Sequence, residues 1–167
     1  AVRGFKDLYE LYGDDFVCIS WYLNGGYDIP ESSQKFSWYG FSGTPSVMFD
    51  GTEDVVGGYP SGTMFGQYDP IVSSRLAVSS PLILSAAHSN VGNQGSVSVN
   101  IQSTASIPSG NYTVNFVVIE NYVHDQINMA RQVLASETLT INGIGQTQTV
   151  SRNFTIDPSW IMDNMRV

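Results

Sequence analysis

The chain has 167 residues, of which 42% are hydrophobic and 13% charged, enough apolar content to bury a core and too much for disorder by composition. A formal charge of −8, from 15 Asp and Glu against 7 Lys and Arg, argues against nucleic acid as a partner, because few cations are present to displace phosphate counterions. No apolar run approaches the roughly 20 residues that span a bilayer, and a lone cysteine, Cys18, excludes an internal disulfide framework or a thiolate zinc site within these residues.

The first half mixes helix and strand patterns. Val2, Phe5, Leu8, Tyr9 and Tyr12 recur at spacings of three and four, which predicts a helix ending at Gly13. Phe16 to Tyr22 is a continuous apolar and aromatic run, the pattern of a strand buried on both faces. After a loop containing Asn24, Gly25 and Gly26, Pro30 to Tyr39 reads as a short helix with proline in its first turn and Gly40 at its end. Ser46 to Asp50 and Glu53 to Val56 are short strands joined at Gly51. Ser61 is placed to cap a helix that carries Phe65, Tyr68, Val72 and Leu76 inward. Pro70 inside that pattern predicts a kink or two shorter pieces.

The second half changes period to two. Leu82, Leu84 and Ala86 alternate with polar residues, as do Val97, Val99 and Ile101, and then Tyr112, Val114, Phe116 and Val118. Leu134 to Ile141 and Thr147 to Ile156 are further strand candidates, with turn residues at 93–95, 108–110 and 142–145 between them. Strands at this spacing with no helix between them predict an immunoglobulin-like antiparallel sandwich over residues 82–167. Asn121 to Arg131 breaks the alternation and reads as a long connection. Ser79, Ser80 and Pro81 mark the boundary with a first domain over residues 1–78. Asp163 to Val167 reads as the opening of a strand, so the sandwich is expected to lack its last full strand. Ala1 opens directly into the helical pattern, and the natural N-terminus is expected upstream.

Ser, Thr and Asn supply 42 residues while lysine occurs only at Lys6 and Lys35, a surface chemistry that leans toward locations outside the cytoplasm. Two of the crowded aromatics of the first half, Trp38 and Phe41, flank its loops and offer stacking surfaces for a ligand. Asp50, Glu53 and Asp54 bracket a turn and offer oxygen ligands of the kind Ca²⁺ takes. Their spacing does not match an EF-hand loop, and ordinary turn hydrogen bonding accounts for acidic residues there. His88 and His124 are the only imidazoles, too few for a metal site, so no metal or other cofactor is expected. No catalytic constellation emerges.

The string Tyr39-Gly40-Phe41-Ser42-Gly43-Thr44-Pro45-Ser46-Val47-Met48-Phe49-Asp50-Gly51 resembles the signature of the thioredoxin fold. In that family the proline is cis and opens a central strand beside the redox site, and the residue before it offers its backbone to an extended peptide. The resemblance implies an α/β thioredoxin-like domain over residues 1–78 that lacks its N-terminal strand and Cys-x-x-Cys, followed by the all-β sandwich, with Thr44 and Pro45 in a peptide-binding role alongside Trp38 and Phe41. Family members react through Cys-x-x-Cys at a helix start, where the helix N-terminus stabilises a thiolate. This chain contains no such pair, and Cys18 sits inside an apolar strand, so no redox activity is expected of these residues alone.

A thioredoxin-like half followed by an all-β half, with Phe49-Asp50-Gly51 ending the strand, is similar to the 28-kDa outer-membrane protein type of Gram-negative bacteria. That similarity implies a non-catalytic surface, periplasmic or outer-membrane-associated protein used for attachment or assembly. Its partners would be further copies, other surface proteins or peptide, and it would meet the membrane only through an anchor outside this chain. The alternative is a thiol–disulfide oxidoreductase or peptide-binding chaperone whose Cys-x-x-Cys lies upstream of Ala1.

Overall fold

The computed structural model describes residues 1–123 and 126–167; His124 therefore lies outside the described residues. Its elements in chain order are α1 (Val2–Tyr12), α2 (Pro30–Trp38), β1 (Ser46–Phe49), β2 (Glu53–Val56), α3 (Phe65–Leu76), β3 (Leu82–Val91), β4 (Gln94–Ser103), β5 (Thr113–Glu120), β6 (Met129–Thr138), β7 (Thr147–Thr155) and β8 (Met165–Arg166). Three small helices accompany antiparallel sheets, and the chain divides into two compact units. One comprises Ala1–Ser79 with Asn121–Ala130, and the other Ser80–Glu120 with Arg131–Val167. The second domain expected over 82–167 is thus interrupted. The stretch read as a long connection folds into the first unit.

In the first unit, α1 presents Leu8 to a core shared with Phe16, Cys18, Phe49, Met64, Tyr68, Val72 and Ile127. Gly4 lies against the ring of Tyr68, where a Cβ would crowd it, and the Tyr68 ring stacks on Phe5. β1 and β2 form a hairpin in register Ser46 to Val56 through Phe49 to Glu53. Asp50 and Gly51 both adopt positive φ at its tip, and the Thr52 N–H closes the turn on the Phe49 carbonyl. Tight hairpin turns of the primed type need this conformation, and Asp-Gly supplies it at low steric cost.

Two expectations for this unit are corrected. The helix expected from Ser61 begins after Met64, and it runs through Pro70 as one element rather than two. Proline there removes a single helical N–H, while burial of Tyr68 and Val72 on either side holds the helix to the core. The run Phe16 to Tyr22 is not a paired strand. Its described pairing is one parallel bridge, Ser20 with Met129, in which the Ser20 N–H donates to the Asn128 carbonyl and the Ala130 N–H to the Ser20 carbonyl, both at 2.9 Å. Phe16 and Cys18 are buried, whereas Val17 is 71% exposed and Ile19 is also exposed. Only one face has found cover.

In the second unit, two three-stranded sheets ordered β3-β4-β7 and β6-β5-β8 share one core. Val97, Val99 and Ile101 of β4 face Phe116 and Val118 of β5 in that core, with Leu134, Val150 and Phe154. This follows from the period-two pattern, since alternate residues of a strand share a face. The same parity carries Glu120 onto the inward face of β5. It is 2% exposed, and Arg131 meets its Oε2 at 2.6–2.7 Å while the Ile161 N–H donates to its Oε1 at 2.7 Å.

Candidate binding cleft

The first unit contains a cavity of about 890 Å³, near the upper end of the roughly 300–1,000 Å³ found for ligand clefts. Residues 15–24 form one wall and residues 44–50 another, with side chains from all three helices around them. Of the residues the sequence singled out, Phe41, Thr44 and Pro45 line it, and the Thr44–Pro45 bond is cis. Trp38 stands outside the lining. It is 71% exposed, packs beside Tyr39, and lies 4.7 Å under the Lys35 ammonium.

Cys18 lines the cavity but carries a free, buried thiol. Burial pushes the thiol up to about 11, so almost none is thiolate near neutral pH and thiolate chemistry is suppressed. The Tyr9 hydroxyl fixes the position of this segment. It accepts hydrogen bonds from the Cys18 N–H at 3.1 Å and the Asn128 Nδ2 at 2.8 Å, and burial raises it to about 12. The Ser20 hydroxyl donates to the Ile127 carbonyl at 2.7 Å. Two of these three contacts are long-range, spanning 107 and 119 residues of chain.

The calcium candidates do not converge. Asp50 is engaged with Arg75 at 3.0 Å, and Glu53 and Asp54 lie exposed on β2. Among the described residues no group of three or more His, Cys, Asp or Glu gathers as metal ligands would. His88 lies exposed on β3. The structure also brings Ser32 and the segment 17–21 to the cavity, which the site reading from sequence did not include. The signal was present in the unbroken apolar run from Phe16, which implies a need for cover on both sides.

A second surface lies wholly within the other unit. Leu84 pairs directly with Ile101 across β3 and β4, and Ala86 pairs with Val99. Directly opposed residues of an antiparallel pair share a face, so Leu84 belongs to the core side of its sheet. Yet Leu84 is 63% exposed while Ile101 is 1% exposed. β8 pairs only with Ile119 and Glu120 of β5, leaving the Thr113–Val118 edge on that side unpaired among the described residues.

No family model, curated protein or solved structure matches this chain. The functional reading therefore rests on these two surfaces.

Proposed function

We propose that this chain is a non-catalytic attachment or assembly protein of a bacterial surface, outer membrane or periplasm, its first unit thioredoxin-like and its second an immunoglobulin-like sandwich. The observation that carries this reading is the uncovered core face of β3. A sheet whose inner side is left partly uncovered is a surface for another chain to cover, and an unpaired strand edge such as that of β5 is a template for pairing. On that face Leu84 and Ala86 stand exposed, with Leu82 packed on the core before them. The Ser-, Thr- and Asn-rich composition supports a location outside the cytoplasm. The acidic balance favours partners other than nucleic acid.

Cys18, buried and with its pKa raised by burial, is unsuited to exchange, and the thiol–disulfide alternative rests instead on a Cys-x-x-Cys upstream of Ala1. Light scattering of the purified chain over a concentration series tests the assembly reading. Association that rises with concentration, and is lost in Leu84→Lys without loss of the folded circular dichroism spectrum, is the expected result. A chain that stays monomeric at all concentrations, with Leu84→Lys indistinguishable from it, would sink self-assembly through this face.

A further inference from the structure

Two loops carry the dipeptide Asn-Gly, Asn24-Gly25 in the first unit and Asn142-Gly143 in the second. This pair has a reactivity of its own that needs only water. The backbone nitrogen of the glycine, once it gives up its proton, can reach the Cγ of the preceding asparagine. The N–Cγ bond forms, the Cγ–Nδ2 bond breaks, and Nδ2 takes up the proton and leaves as ammonia. A five-membered cyclic imide remains. Water opens that ring at either carbonyl, giving aspartate, or isoaspartate with the main chain rerouted through the side chain. Each event consumes one water and releases one ammonia, and nothing is oxidised or reduced. Glycine favours the attack because no Cβ crowds the nitrogen and the backbone turns freely.

The fold treats the two pairs differently. In the second unit one acceptor, Gln146 Oε1, takes the N–H of Asn142 at 2.8 Å and the N–H of Gly143 at 3.0 Å. The Asn142 carbonyl accepts from the Ile107 N–H at 3.2 Å, and the Gly143 carbonyl accepts from the Ser103 hydroxyl and the Gln146 N–H. The attacking nitrogen is tied, and the peptide units on both sides of it are fixed. Ring closure there waits on the opening of these bonds. Asn24, Gly25 and Gly26 form an exposed bend with no such restraint. The Gly25 N–H donates to none of the described residues. Gly25 and Gly26 have φ of +89° and +84°, with open space where a Cβ would stand. Below them the rings of Tyr22 and Tyr27 meet edge to face at 6.0 Å, closing the base of the bend.

We infer that Asn24 is a self-modifying site, converting through the cyclic imide to aspartate and isoaspartate in the folded protein, while hydrogen bonds protect Asn142. The product sets a carboxylate on the cavity that Asn24 lines and adds one negative charge to a chain of −8. The isoaspartyl form also lengthens the main chain at residue 24 by one methylene, and its free α-carboxylate is the group that isoaspartate-directed methyltransferases esterify. This inference is independent of the uncovered β3 face, which belongs to the other unit.

The test is ageing of the full chain in ¹⁸O-labelled water at mildly alkaline pH, with a parallel sample unfolded in guanidinium chloride. Trypsin cuts after Lys6 and Lys35 and after Arg131 and Arg152, so the sites fall in separate peptides, 7–35 and 132–152, each with a single asparagine. The expected result is that peptide 7–35 gains ¹⁸O at much the same rate in the folded chain as in the unfolded one. Peptide 132–152 should gain it about tenfold more slowly folded than unfolded, or slower still, because the bonds to Gln146 must open first. Peptide 7–35 should also accept methyl groups from an isoaspartate-directed methyltransferase, the mark of the imide route. Asn24→Gln, whose longer side chain closes a ring much more slowly, should remove the label from 7–35 and leave 132–152 unchanged. Folding that protects Asn24 as strongly as Asn142 would overturn the inference. So would conversion of Asn142 ahead of Asn24 in the folded chain, or ¹⁸O in peptide 7–35 without methyl acceptance.

Discussion

The two units solve the same problem with different means. The second unit is built from long strands in unbroken register, ten residue pairs between β3 and β4 and nine between β4 and β7. Its core is the inward parity of those strands. The first unit has one four-residue hairpin, three short helices and an extended run held by a single bridge. Its core is completed from far along the chain by Ile127. Regular alternation therefore makes the second unit locally encoded, while the first depends on contacts that sequence neighbours cannot provide. The second exposes part of a sheet face, and the first encloses a cavity.

Substitutions should separate the units in that order of effect. Glu120→Ala takes the buried carboxylate away from the partly buried Arg131, which lies over Trp160, and strands the Ile161 N–H. Removing one partner of a buried ion pair costs about 3–5 kcal/mol. Native-state hydrogen exchange should show that loss first in the amides of β4 and β5, and equal loss in α1 would contradict the division. Ile127→Ala should cost about 2–4 kcal/mol and act on the first unit, releasing protection at Leu8 and Tyr68 while leaving Val99 and Ile101 protected.

The smallest effect is a dependence on pH. Cys18 has a folded pKa of about 11 against 9.0 unperturbed. The folded state thus holds its proton more tightly than the unfolded state. The stability attached to the neutral thiol is fully present below about pH 9 and is lost as pH rises through about 11. Urea midpoints measured at pH 8 and pH 10.5 should fall over that interval, and Cys18→Ala should flatten the fall. The Tyr9 hydroxyl, also raised by burial, continues the decline at still higher pH. An unchanged midpoint would mean that the thiol is not buried as described.

The second unit was largely legible because its signal is local. Val97, Val99 and Ile101 announce an inward face by spacing alone, whereas Glu120, two residues beyond Val118 on the inward face of β5, was not singled out because a carboxylate breaks the apolar pattern. Residues 129–133, by contrast, join β6 ahead of the expected start at Leu134, because the Ser20 bridge and the Glu120 ion pair organise them rather than apolar alternation. In the first unit, Phe41, Thr44 and Pro45 were found through one motif, and the structure places all three at the cleft. Trp38 was drawn in by proximity in sequence, and helical geometry turns it outward. The run from Phe16 was read as fully covered because its composition asks for cover, which composition cannot itself supply. Ser32 carried no signal, since a helical serine is ordinary until its surroundings are known.

The excursion of Asn121–Ala130 into the first unit also sets a clock on biosynthesis. Ile127, which seals that unit's core, emerges from the ribosome roughly fifty residues after Ser79, which at about 5–20 residues per second is a delay of about 2–10 seconds. During that interval β3, β4 and β5 are already made, while the helices ahead of them wait with Leu8 and Phe16 incompletely covered. The first unit is therefore completed only at Ala130, after three strands of the second have been made and before Arg131–Val167 complete that second unit. A gene cut between residues 79 and 80 would produce a polypeptide that stays in that waiting state, with no later residue coming to end it.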